Sequence, residues 1–185
     1  MATELLSETD ATMCKAIDAL RRELASIRTG RARPALVENL RVISYGVPTP
    51  LMQVASITAP EPRMLIIQPY DRQILASIEK AILRSELGLT PSNDGRVIRL
   101  VIPQLTEERR REMVRVVHKK VEEGRVAIRN IRRETLEALR TMEKDKQISE
   151  DEQKYFAEQL QRLTDAFMAQ VEQIGRDKEA ELMEV

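Results

Sequence analysis

The sequence has almost none of the side chains from which cofactor, metal or nucleophile chemistry is built. It has one cysteine, Cys14, which excludes an internal disulfide framework and a multi-cysteine zinc site. It has one histidine, His118, too few for histidine metal ligation or a Ser-His-Asp triad. Tryptophan is absent and aromatics make up 3%, which argues against modules that read RNA by stacking bases on aromatic rings. No run approaches 18 apolar residues, so no membrane span is expected. The opening stretch MATELLSETD is acidic and has no long apolar run, so neither a secretory signal nor a transit peptide is expected. GxxxxGK[ST], GxGxxG and HExxH are all missing.

What is present suits a packed protein of 185 residues. Apolar residues reach 42% and charged residues 32%, enough for a buried core and unlike a disordered chain. The 30 basic and 30 acidic residues cancel, but not locally. Residues 1–29 carry a net −1, residues 30–103 +3, residues 104–140 +4 and residues 141–185 −6. Such segregation predicts one anion-facing surface.

Proline and glycine divide the chain. Every proline lies between Pro34 and Pro103. The flanking segments read as long helices and the middle as something shorter-grained. In the first helix Leu6, Met13, Leu20 and Ile27 recur seven apart, with Ile17 and Leu24 between them, the seam of a helix packed on nearly parallel neighbours. Gly30 is expected as its C′ residue. A second helix is expected to start after Thr106, with Glu107 and Glu108 favourable in the first turn. Its stripe runs Val114, Val117, Val121, Ile128, Ile131, Ala138 and Met142, and Gly124 falls on it. A third helix opens on a Ser149/Glu152 capping box, with Phe156, Leu160, Leu163, Phe167, Val171 and Ile174 as its stripe.

The middle predicts strands at 40–45, 54–59, 64–68 and 96–102, with a rigid loop at Pro48 and Pro50. It also predicts a helix capped by Asp71 that carries Ile74, Ile78 and Ile82 and ends near Gly88, and a turn at 92–95. The fold class is therefore α+β. A slender three-helix bundle comes from residues 1–29 and 104–185, and a small α+β domain from residues 30–103 is inserted in it. Thr29, Gly30, Pro34, Pro103 and Gln104 lie at the two crossings and are the expected hinge.

No catalytic group stands out. Glu107/Glu108 and Glu150/Asp151/Glu152 suit helix starts, Cys14 suits a packing position and His118 suits a surface or phosphate contact. The arginines are more informative. Arg125, Arg129, Arg132 and Arg133 recur at i, i+4, i+7 and i+8 with few acids on their arc. Arg109, Arg110 and Arg111 begin the same helix, and Arg28, Arg31 and Arg33 follow the first helix. Such a face is either a solvated surface with ordinary i/i+4 pairs or an anion-binding one, since guanidinium forks match phosphate oxygens. With so few aromatics, it would read RNA by backbone and shape. A coiled-coil adaptor would instead expose an apolar stripe. A small hydrolase would need convergent acids among Asp71, Glu79, Glu86 and Asp94.

Several segments resemble the bacterial ribosome recycling factor family: Arg28-Thr29-Gly30-Arg31-Ala32, Tyr45-Gly46-Val47-Pro48-Thr49-Pro50-Leu51, Glu79-Lys80-Ala81-Ile82 with Leu87-Gly88-Leu89, and Leu105-Thr106-Glu107-Glu108-Arg109-Arg110. The basic run from Arg125 to Arg133, the cap Ile148 to Glu152 and the end from Asp177 to Leu182 continue the match in order. Gln104 departs from it, standing where the family usually has a second proline. The resemblance implies an L-shaped protein whose long arm is the bundle and whose short arm is the inserted domain. It implies binding to the post-termination ribosome through large-subunit rRNA, and subunit separation together with elongation factor G and GTP. It implies a cytoplasmic, monomeric protein with no catalytic site, metal or cofactor. Arg28, Gly30, Arg31, Arg129, Arg132 and Arg133 are carried over as RNA contacts, with Arg109 and Arg110 as weaker ones, and Arg125 belongs to the same face. The short arm would meet elongation factor G.

Overall fold

The computed structural model describes residues 1–184. In chain order the elements are α1 (Ala2–Ala25), a 3-10 turn (Pro34–Leu36), β1 (Arg41–Ser44), β2 (Val47–Pro50), α2 (Leu51–Val54), β3 (Ala55–Glu61) and β4 (Met64–Pro69). A 3-10 turn (Arg72–Ile74), α3 (Leu75–Arg84), β5 (Pro91–Asn93), β6 (Ile98–Val101), α4 (Glu107–Lys144) and α5 (Glu150–Met183) follow. The chain forms two compact units, residues 1–29 with the segment from Glu107 onward, and Gly30–Thr106.

The first unit is the bundle of α1, α4 and α5. Its seams are set by heptad-like spacing, and they include polar and small residues that an apolar pattern does not reveal. On α5 the buried positions are Leu160, Thr164, Phe167, Val171, Gly175, Lys178 and Leu182, a strict 4-3-4-4-3-4 series. The expected Phe156, Leu163 and Ile174 sit beside it, half-buried. On α4 the series is Val117, Val121, Ile128, Thr135 and Leu139, so the seam drifts from the expected Ile131, Ala138 and Met142. On α1, Thr9 takes a seam position between Ala2 and Met13. Thr9 Oγ1 donates to Leu5 O at 2.8 Å and therefore accepts from Thr135 Oγ1 at 2.7 Å. Thr164 Oγ1 donates to Leu160 O at 2.8 Å. Threonine is tolerated inside because each hydroxyl finds a partner.

Two glycines let the helices close up. A Cβ on Gly124 would lie 3.2 Å from Leu20 Cδ2, and one on Gly175 would lie 2.7 Å from Val121 Cγ2. The link from α4 to α5 turns at Lys146, at φ +58, and ends in the expected capping box: Glu152 N donates to Ser149 Oγ at 3.1 Å and Ser149 N to Glu152 Oε2 at 2.7 Å.

Some expectations fail at helix one. α1 ends at Ala25, earlier than Arg28, with Ser26 still right-handed and its hydroxyl donating to Glu23 O at 2.6 Å. Gly30 is therefore not its C′ residue; it makes a left-handed turn of its own, at φ +76, next to Leu105. Cys14 is exposed, because the seam runs through Met13 and Ile17 and leaves residue 14 on the outer face.

The second unit packs α3 and the small elements against one face of an antiparallel sheet of order β3-β4-β6-β5. Ile57, Ile67 and Ile98 share a row across three strands, and Leu65 pairs with Leu100. Ile74, Ile78 and Ile82 close over the core. The expected rigid loop at Pro48 and Pro50 is a strand instead. Tyr45 and Gly46, at φ +48 and +81, form a two-residue turn that matches the twist of a hairpin. Pro48 and Pro50 face Ile43 and Arg41, every second pair counted from the turn, where no proline N–H is required. β5 was not expected, and α3 stops at Arg84, before Gly88. Asp71 caps the turn into α3, accepting from Gln73 N at 2.9 Å, and it also accepts from Tyr45 Oη, which holds its carboxyl below the usual range.

Pro34 is not at a crossing. It opens a 3-10 turn inside the second unit, and the preceding Ala32 is buried and donates to Pro62 O at 2.7 Å. Pro103 and Gln104 also belong to that unit, where Gln104 Oε1 accepts from Arg63 at 3.4 Å. The divisions fall at 29/30 and 106/107, three residues later than expected at the second.

Candidate nucleic-acid interface

α4 is a continuous helix of 38 residues, about 57 Å long at 1.5 Å per residue. The arginines sort along and around it. Arg109 and Arg110 lie in its first turns, about 30 Å from Arg129 along the axis. Arg109 pairs with Glu112 at 2.7 Å, and Arg111 pairs with Glu107. The structure does not bring this group together with the 125–133 arc.

Within that arc the four arginines differ. Arg125 turns toward α5. Its Nε and Nη2 reach Glu172 at 2.5 and 3.0 Å, and its Nη1 reaches Glu122 at 2.7 Å. These hydrogen bonds hold the carboxyls of Glu172 and Glu122 below their ordinary range and strengthen the guanidinium's hold on its proton. The expected scarcity of acidic counterparts thus fails at Arg125, which ties two helices together, and in part at Arg129, which shares Glu122. Glu122 is legible at i−3, whereas Glu172 comes from another helix and is not. Arg132 also leans on α5, donating to Gln161 Oε1 at 2.9 Å, while its Nε is buried without a hydrogen bond in the protein. Arg129 is half-exposed at 52% and only 3.3 Å from Glu122. Arg133 is exposed, its Nη2 donating to Asn130 Oδ1 at 2.8 Å. Arg129 and Arg133 are the outward members. Val126, Asn130 and Leu136 flank the arginines and, with Arg129, Arg132 and Arg133, line a shallow depression. The arginine pattern alone did not single these three out, although their i+3/i+4 spacing places them on the same arc.

Arg28 is the penultimate residue of the first bundle segment, and Gly30 and Arg31 open the second unit; Arg28, Arg31 and Arg33 are all exposed. His118 Nε2 lies 3.2 Å from Glu179 on the bundle surface. Among the described residues, no three His, Cys, Asp or Glu side chains could hold a metal ion, and no helix is long and apolar enough to cross a membrane.

The acids a hydrolase would need are engaged separately. Asp71 caps a turn, Glu79 accepts from Asn93 at 3.2 Å, and Asp94 accepts from Arg96 N and Val97 N at 2.9 Å. The apolar stripe an adaptor would need is missing from α4. Its exposed large apolar side chains are Val116 and Val126, about 80° apart around the helix.

The family model for ribosome recycling factor matches residues 20–183. A ribosome-recycling factor of Roseiflexus sp. (strain RS-1) is 56% identical over the full length of both chains. The solution structure of a ribosome recycling factor superposes with a TM-score of 0.79 at 43% identity, covering 100% of this chain and 98% of the other. A second neighbour, at TM-score 0.68 and 48% identity with full coverage of both chains, is the T. thermophilus ribosome recycling factor, described with E. coli elongation factor G bound to the E. coli post-termination complex.

Proposed function

This chain belongs to the ribosome recycling factor family, and from that premise we propose that it binds the post-termination ribosome through large-subunit rRNA. With elongation factor G and GTP it then promotes separation of the subunits. The observation that carries the RNA contact is the outward pair Arg129 and Arg133, flanked by Arg132. Guanidinium groups on a rigid helix meet phosphate oxygens without reorganising. Arg28, Gly30 and Arg31 serve as a second RNA contact. Arg109 and Arg110 make a weaker one, and Arg125 supports the face by holding α4 to α5.

The second unit is the part that meets elongation factor G. The exposed Ile43, Tyr45 and Val47 of its hairpin support a protein-facing role. In this reading the chain acts as a cytoplasmic monomer by binding alone, with no reaction of its own. Thr29 and Gly30, at the division between the units, are the hinge candidates that remain.

The test is a subunit-splitting assay. Post-termination ribosomes, elongation factor G, GTP and the purified chain are mixed and followed by light scattering and gradient sedimentation. Free subunits should accumulate only when all the components are present. Intact ribosomes in the complete mixture would refute the proposal.

A further inference from the structure

The arginine arc holds more than charge. Val126, Arg129, Asn130, Arg132, Arg133 and Leu136 line a shallow, open depression of about 380 Å³. Its apolar members would gain nothing from a bare phosphate. Val126 is 43% exposed, a solvent-facing branched side chain in a row of guanidinium groups. Asn130 Oδ1 already accepts from Arg133, which leaves its amide N–H groups to donate. Arg132 Nε is buried and makes no hydrogen bond in the protein.

We propose that this depression receives one unstacked nucleotide of the RNA, not only the backbone of a paired helix. The proposal rests on the rRNA-binding reading above and refines it at the same site. The base lies against Val126 between the guanidinium groups of Arg129 and Arg133, which supply the flat surface that aromatic rings supply elsewhere. Asn130 donates to an acceptor on the base edge, and Arg132 takes the attached phosphate. Arg129, Arg132 and Arg133 favour a polyanion over an acidic or apolar peptide, since three cations are spaced along one helix face and a single exposed valine lies beside them.

Large ribosomal subunits are the probe, and Val126→Thr/Asn130→Ala is the variant. Neither side chain is buried, so far-ultraviolet circular dichroism and melting should match the wild type. Dimethyl sulfate reports base edges and hydroxyl radicals report the backbone. Wild-type protein should protect one unpaired base together with its neighbouring backbone. The variant should lose the base protection, keep the backbone footprint and bind roughly fivefold more weakly with the same salt slope. Val126→Leu should retain the base protection. An Arg129→Ala/Arg133→Ala protein should flatten the salt slope by about 2. If that flattening occurs while no base is protected, or while protection persists in Val126→Thr/Asn130→Ala, the nucleotide proposal is overturned and the backbone reading stands. If the arginine variant leaves affinity and slope unchanged, the rRNA reading falls and the proposal with it. Protection of a ribosomal protein at this face, without RNA protection, also overturns it.

Discussion

At the scale of single residues, the arginines of one arc do different work. Arg125 is locked by Glu172 across the α4/α5 seam and by Glu122 on its own helix, with its side chain 28% exposed. Arg125→Ala should therefore lower stability by about 1 kcal/mol, read as a shifted denaturant midpoint. Arg133→Ala should stay within about 0.5 kcal/mol of the wild type while weakening binding to large subunits. Equal stability in the two variants would contradict the division. The sequence shows the basic arc and its family match, because arginine spacing is local information. It cannot show which guanidinium is already occupied, because Glu172 and Gln161 arrive from a helix more than twenty residues further along. Glu152 gives a pH-dependent case. Its carboxyl is held below the ordinary value of 4.5 by hydrogen bonds from Ser149. A depressed carboxylate contributes stability above its unfolded pKa and loses it as pH falls through the folded one. Glu152→Ala should therefore melt below the wild type at neutral pH, and the two melting temperatures should converge as acid takes the solution below the ordinary carboxylate range. A difference that persists in acid would show that packing, not the charge, is responsible.

At the scale of elements, the seams were only half legible. Leu160, Phe167, Val171, Val117, Val121 and Ile128 follow from apolar periodicity and are buried. Thr9, Thr135, Thr164, Gly175 and Lys178 are buried too, and no hydrophobicity scale selects them. What admits them is hydrogen bonding and close approach, both visible only once the helices face one another. Removing the Thr9 hydroxyl as Thr9→Val leaves Thr135 without its partner, at a cost of about 1–2 kcal/mol. The double variant Thr9→Val/Thr135→Val should cost less than the two singles together, and a double-mutant cycle measures the difference. Strict additivity would deny the contact. The seam glycines should separate in the same way. Gly175→Ala meets Val121 at 2.7 Å and should cost about 1–3 kcal/mol. Gly124→Ala meets the flexible tip of Leu20 at 3.2 Å and Val171 at an ordinary contact distance of 3.7 Å, and the ~1 kcal/mol gain in helix propensity should leave it near neutral. In the second unit the sequence missed the strand at Val47–Pro50, because prolines read as loop unless their register is known.

At the scale of the whole molecule, two compact units and uneven charge are what the function needs: a basic helix for a polyanion and a separate unit free for another partner. The bundle seams lie wholly within residues 1–29 and the segment after Thr106. Replacing 30–106 by a short Gly/Ser linker should therefore leave a helical, cooperatively melting bundle that still binds large subunits but no longer splits ribosomes. A non-helical product by circular dichroism would contradict this modularity. The central claim is that the outward arginines of α4 neutralise rRNA phosphates. The most direct test is binding of Arg129→Ala/Arg133→Ala to large ribosomal subunits across a salt series. Each phosphate contact contributes roughly 0.7–0.9 to the log–log slope, so the account predicts a slope shallower by about 2 at unchanged melting temperature. Wild-type affinity and slope in that variant would contradict it.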